Sequence, residues 1–274
     1  MDTVYVWMLS VLLFMLGAMF GSFACCQVWR IHNGDKSKRS HCLSCKYQLK
    51  WYDNIPIISW LTLRGKCRKC HKKIGIAEFL AEVVTAVVFV LSFLWWPERK
   101  MLIAGDGVEI AKFVLYLISV VIFVILFIYD AKWKELPTAL MIALIGIAMV
   151  FLGCNIWQVL QNGKSVNWLS IGGSLMILPL LYYLMYKLSK ESWVGGGDWI
   201  LCISLALMLG NFWLGIFCLF LSNFLGCVIM VPLMAKQKKK RNYKIPFGPF
   251  LIVGFLIVFF LQKYLLLFIN GGLM

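Results

Sequence analysis

Asp130 closes an apolar run in Ile128-Tyr129-Asp130, and Asp198 opens another after Gly195-Gly196-Gly197. A carboxylate at a membrane boundary is costly to keep, so two of them point to chemistry rather than packing. Brought together, two carboxyls cannot both ionise easily, and one acts as base while the other acts as acid. Such a pair can activate water for attack on a peptide carbonyl and protonate the departing groups. The three glycines before Asp198 let backbone approach closely, whether from a substrate strand or from a neighbouring helix. The competing reading is of ordinary helix-end acids, with Asp198 capping a helix N-terminus.

Four of the ten cysteines carry a second signal. Cys42-x2-Cys45 and Cys67-x2-Cys70 lie on one polar loop, and each pair can present two thiolates to a tetrahedral zinc ion. Four thiolates leave no open coordination position, so the expected site is structural. His41 and His71 flank the pairs as substitute ligands. Cys25, Cys26, Cys154, Cys202, Cys218 and Cys227 sit in apolar runs and read as small core hydrophobes.

The elements that must position these groups are membrane helices. The chain is 62% hydrophobic with a mean hydropathy of +0.84, against about 45–50% apolar residues in soluble domains. A span needs roughly 20 apolar residues. Eight runs qualify as candidates, at about 4–29, 75–97, 111–130, 137–157, 167–187, 198–210, 212–234 and 247–269. The sixth is short for a full crossing. The expected fold is therefore an all-α polytopic membrane protein of about eight transmembrane helices. Residues 1–30 form the first of these, 31–74 a small cytoplasmic four-cysteine zinc-binding module, and 75–274 the remaining bundle. The first run is too long and too weakly basic at its start for a cleaved signal peptide.

Charge sets the orientation. The net charge is +15, and 12 of the 27 Lys and Arg fall in 30–73 and six in 236–244. With Lys132, Lys134, Lys187 and Lys190, these occupy alternate loops, whereas the opposite loops hold only Arg99, Lys100, Lys112, Lys164 and Lys263. That asymmetry places the 31–74 loop in the cytoplasm and both termini outside. Anionic lipid accounts for a basic cytoplasmic face, and nucleic acid is not an expected partner. On the same topology both aspartates reach the cytoplasmic boundary, and the reduced thiols there favour metal over a disulfide.

The module of about 44 residues is too small for a strong core without a staple, which a metal would supply. Ile57, Ile58, Trp60, Leu61 and Leu63 form an apolar patch between its cysteine pairs, either a small core or a rest on the membrane surface. Glu78 and Glu82, four apart, share a helix face. They read either as lining a polar pocket or as pairing with loop lysines. Pro246-Phe247-Gly248-Pro249 marks a helix start.

Several segments together resemble the type IV prepilin peptidase family, aspartyl membrane proteases of the GxGD type. These are Gly21-Ser22-Phe23 with Arg30, Trp51 through Pro56 with Ser59-Trp60, and Leu63 through Cys67. Asp130 followed by Pro137, Gly195-x-Gly197-Asp198 and Ile245 through Phe250 complete the series, in family order along almost the whole chain. Departures occur at Cys25, where the family has Asn, and at Cys42-Leu43-Ser44-Cys45, which lacks a proline. Thr138 and Ile200 stand in place of Asp and Lys. The resemblance implies an aspartic endopeptidase in the bacterial inner membrane, with its catalytic face cytoplasmic and Asp130 and Asp198 as the catalytic pair. It implies cleavage of the basic leader of prepilins or pseudopilins. Forms with the four-cysteine loop typically then methylate the new N-terminus with S-adenosylmethionine, whose binding residues no glycine-rich loop reveals here. Peptidase activity alone is one alternative. A non-enzymatic scaffold or transporter is another, although a transporter should bury its acids near mid-membrane. The enzyme reading further expects the substrate's apolar stem to pack between helices at small residues such as Gly172, Gly173 and Gly226. The few acids nearby, Asp130, Asp198, Glu78, Glu82 and Asp53, would meet the leader.

Overall fold

A computed structural model describes the backbone of residues 2–35, 39–189, 195–237 and 246–269. Most of the basic Lys236–Lys244 stretch, Lys190 and Ile245 lie outside these residues. Among the described residues ten α-helices run in chain order: α1 Asp2–Asn33, α2 Ile58–Thr62, α3 Ile76–Leu94, α4 Arg99–Ile103, α5 Gly107–Trp133, α6 Thr138–Gln161, α7 Trp168–Ser189, α8 Asp198–Leu209, α9 Phe212–Gln237 and α10 Gly248–Ile269. Seven are long and apolar enough to cross a bilayer, and α8 is a shorter apolar helix. Their outer surfaces carry dozens of exposed Leu, Ile, Val, Phe and Trp side chains. Only lipid makes such a surface tolerable. The chain is a multi-pass membrane protein.

The described chain groups into two compact units, Met1–Leu94 with Val120–Ile125, and Trp95–Ser119 with Leu126–Met274. In the first, α1 packs along α3. Gly17 and Gly21, one helical turn apart, face it. A Cβ on Gly17 would stand 2.7 Å from the Ala86 Cα, and one on Gly21 2.7 Å from the Glu82 Cα. Lipid supplies no hydrophobic drive between helices, so this backbone-to-backbone approach is what holds them.

In the second unit α8 is the centre, touching α6, α7, α9 and α10. At 12 residues it reaches only about 18 Å, so its ends lie among other helices. Leu201, Cys202, Leu205 and Ala206 are wholly buried. Its C-terminal end closes on Gly210, whose φ of 56° any Cβ would strain. Ser174 of α7 donates to the Ala206 carbonyl, and Ser170 Oγ accepts from Phe212 N–H. These bonds tie α7 to the end of α8 and to the start of α9.

Several charges assigned to loops lie inside helices: Lys132 and Lys187 fall in the last turns of α5 and α7, Lys263 falls in α10, and Lys112 falls in α5. Lys112 is not a loop charge. It lies inside α5 and is only 7% exposed, with Nζ 2.8 Å from Glu109 Oε1 and 2.7 Å from Gln158 Oε1. Gln158 Nε2 and Trp96 Nε1 donate to the same carboxylate. The helix starts at Gly107 because the Asp106 side chain accepts from Glu109 N–H as its N-cap. That start draws Lys112 a turn inward. Removing Lys112 from the loops sharpens the charge asymmetry.

Candidate active site

The last turn of α5 carries Asp130. The helix stops there because Lys134 adopts a left-handed φ of 59° and its N–H returns to the Asp130 carbonyl. Pro137 then opens α6. Asp198 is the first residue of α8, after Gly197. Both carboxyls are 4% exposed and interact electrostatically.

Glycine backbone holds each of them. Gly248 N–H donates to Asp130 Oδ2 at 3.0 Å, and Gly195 N–H donates to Asp198 Oδ2 at 3.0 Å. Neither approach leaves room for a side chain where the two loops meet. A Cβ on Gly248 would stand 2.8 Å from Asp130 Oδ2, and one on Gly197 2.8 Å from the Leu136 Cβ. Leu136 also lies within reach of Gly248. It is the apolar wedge that ties the loop after Asp130 to both glycine turns, and nothing in its sequence context singled it out. Gly248 read as a helix start, which it is, but its N–H is also a ligand of Asp130. Tyr182 is buried nearby, in electrostatic reach of Asp198, with its ring 5.4 Å from Phe247 and its hydroxyl accepting from Asn223 Nδ2.

The other acids take part in local structure within the first unit. Glu82 Oε2 accepts from Ile57 N–H at 2.7 Å. Asp53 pairs with Arg68 at 2.8 Å, and that guanidinium also lies over the Tyr52 ring. Of the small residues, Gly173 faces Phe212 and Gly226 faces Phe247, while Gly172 has open space beside it.

The four cysteines come together. All four sulfurs lie within 4.8 Å of one another, with Cys42–Cys70 at 3.8 Å and Cys45–Cys67 at 3.9 Å. Tetrahedral bonds of about 2.3 Å put sulfurs about 3.8 Å apart, so the donor set fits zinc. The spacing is far beyond a disulfide's roughly 2 Å. The two knuckles are built alike. Lys46 N–H bonds the Cys42 carbonyl and His71 N–H the Cys67 carbonyl, and both donors have left-handed φ, 58° and 55°. Cys42 and Cys67 N–H bond Tyr47 and Lys72 carbonyls respectively. The flanking histidines lie outside this sulfur cluster, and His41 sits edge-on to Trp29.

Comparison with known proteins bears on most of the chain. The model of the Bacterial Peptidase A24 N-terminal domain matches residues 15–96, and that of the Type IV leader peptidase family matches residues 115–231. The prepilin leader peptidase/N-methyltransferase of Neisseria gonorrhoeae is 30% identical over 224 residues, 80% of this chain and 70% of that protein. The chain belongs to the type IV leader peptidase family. The Legionella pneumophila protein of the same name is 28% identical over 223 residues, 81% of this chain and 72% of that protein. The type 4 prepilin-like proteins leader peptide-processing enzyme of Escherichia coli O78:H11 is 28% identical over 234 residues, 82% and 76% of the two chains. No solved structure matches the chain. The two family matches meet the two compact units in turn, and the aspartates both fall in the second.

Proposed function

We propose that this protein removes the basic leader from type IV prepilins or pseudopilins at the cytoplasmic face of the bacterial inner membrane, then methylates the new N-terminus. Asp130 and Asp198 are the acid–base pair. The observation that carries this reading is the matched pair of buried carboxyls, each held through Oδ2 by a glycine N–H. Two interacting buried carboxyls share one proton. The carboxylate takes a proton from water, whose oxygen adds to the scissile carbonyl carbon as the carboxylic acid protonates the carbonyl oxygen. Collapse of the resulting gem-diol breaks the C–N bond. The departing amine takes a proton from the newly formed acid as the other carboxylate takes one from a gem-diol hydroxyl, and the pair returns to its starting state.

The freed amine is then the nucleophile for the second reaction. It attacks the methyl carbon of S-adenosylmethionine, a co-substrate, so that the N–C bond forms as the S–CH3 bond breaks; S-adenosylhomocysteine leaves and the nitrogen loses a proton. Cys42, Cys45, Cys67 and Cys70 hold one zinc, which supplies a structural cross-link and no reaction step. Seven helices of spanning length and the basic 30–73 loop support the membrane placement.

The test uses pure protein, a prepilin and labelled S-adenosylmethionine, with leader loss and label transfer followed separately. Asp130→Asn and Asp198→Asn should each abolish cleavage while the protein still inserts and unfolds normally. Near-normal cleavage by either variant sinks the dyad. Cleavage without label transfer by the wild type removes the methyltransferase half alone.

A further inference from the structure

We infer that α2 and its flanks form an interfacial foot that seats the four-cysteine module in the headgroup layer of the protein's own membrane. The depth of the foot is fixed by α3. The 19 residues of that helix reach about 28 Å, and a bilayer core is about 30 Å thick. The helix therefore has no residues to spare, and its first turns already lie inside the membrane boundary.

The module is tied to those turns. The Trp60 ring stacks on Phe79 at 4.6 Å, and Ile57 N–H donates to Glu82 Oε2 at 2.7 Å. Glu82 lies six residues after Ile76, or about 9 Å along the axis. Ile57 holds a φ of 63° to make that bond, a conformation that is unfavourable for a β-branched residue. The tie is thus specific, and it sets the depth of α2, which starts at the next residue.

At that depth α2 turns apolar side chains outward. Ile58 is 59% and Leu61 55% exposed, on one face three residues apart, and Ile55 and Trp51 are also exposed. Lys50, Arg64 and Lys66, all exposed, flank this segment along the chain. An apolar face at the depth of the acyl boundary, flanked along the chain by cations, matches anionic phospholipid. Basic residues flanking inserted aliphatic ones are the pattern of a helix that lies in the interface rather than across it.

The test keeps the full chain in vesicles of phosphatidylethanolamine and phosphatidylglycerol. A p-benzoylphenylalanine photolabel replaces Ile58, Leu61 or, as control, the exposed Lys69. Ile58 and Leu61 are more than half exposed, so the label needs no repacking, and retained metal verifies each fold. Mass spectrometry should find phospholipid adducts at positions 58 and 61 at least about fivefold above position 69, enriched in phosphatidylglycerol. Lipid adducts no more frequent than at position 69 would overturn the inference. So would adducts at 58 and 61 that map to peptide, whether from a second copy or a substrate.

Discussion

Gly248→Ala is the sharpest probe of the aspartate geometry. The added Cβ would stand 2.8 Å from Asp130 Oδ2, 3.4 Å from its Cγ and 3.5 Å from Leu136 Cδ2. Ordinary contact starts near 3.4 Å, so the carboxyl must retreat by about 0.6 Å. That retreat stretches the 3.0 Å bond from Gly248 N–H to about 3.6 Å, beyond hydrogen-bond range. Position 248 is not left-handed, so only space is tested. A reacting group displaced by about 1 Å costs about 100-fold in rate. We expect kcat for leader cleavage to fall roughly 10- to 100-fold with KM little changed, and overpacking to cost about 1–3 kcal/mol of stability. Gly146→Ala, in α6 with nothing within 4 Å, should leave cleavage untouched. Initial rates on a prepilin, with thermal unfolding of each variant, decide the matter. If Gly248→Ala cleaves at the wild-type rate while folded, the close approach of Gly248 to Asp130 is not part of the working geometry.

Three further outcomes are expected. Metal analysis should give about one zinc per chain, lost in Cys67→Ser and on acidification, because the thiolate ligands protonate; wild type without metal would refute the site. Lys112→Met strands the buried Glu109 carboxylate and should cost about 3–5 kcal/mol, much of it recovered when Glu109→Gln is added; unfolding at the wild-type temperature by the single variant would contradict the buried pairing. Gly17→Val and Gly21→Val push into the α3 backbone and should each destabilise by about 1–3 kcal/mol, whereas Gly153→Val, open within 4 Å, should be milder; equal losses would remove the close-packing argument.

What the sequence made legible was whatever depends on composition and short-range order. Spans follow from apolar runs, the knuckles from cysteine spacing, and the common end of the two acids from lysine asymmetry combined with their place in the runs. Features that depend on long-range approach stayed hidden. Gly248 reaches Asp130 across 118 residues, and Leu136 is an ordinary aliphatic until two glycine turns close on it. Lys112 looked like a loop charge because its partner Gln158 lies 46 residues on. Glu82 read as a structural group pairing with loop lysines, ahead of one lining a pocket. The backbone N–H that it actually binds belongs to a strained Ile57 that no propensity would place there.

The order of the module along the chain has a consequence for biosynthesis. All four sulfur ligands lie between Cys42 and Cys70, before α3 begins at Ile76. The four cysteines therefore emerge before α3 does, and a metal would meet them before α3 docks, since chains fold from the N-terminus as they emerge. Phe79 and Glu82, which fix Trp60 and Ile57, arrive later. With metal bound, the module would already be closed on the tether of α1 when α3 docks it through Phe79 and Glu82. Shortage of metal during growth would leave the nascent loop open when α3 enters the bilayer, so the damage would be set at synthesis rather than in the mature protein.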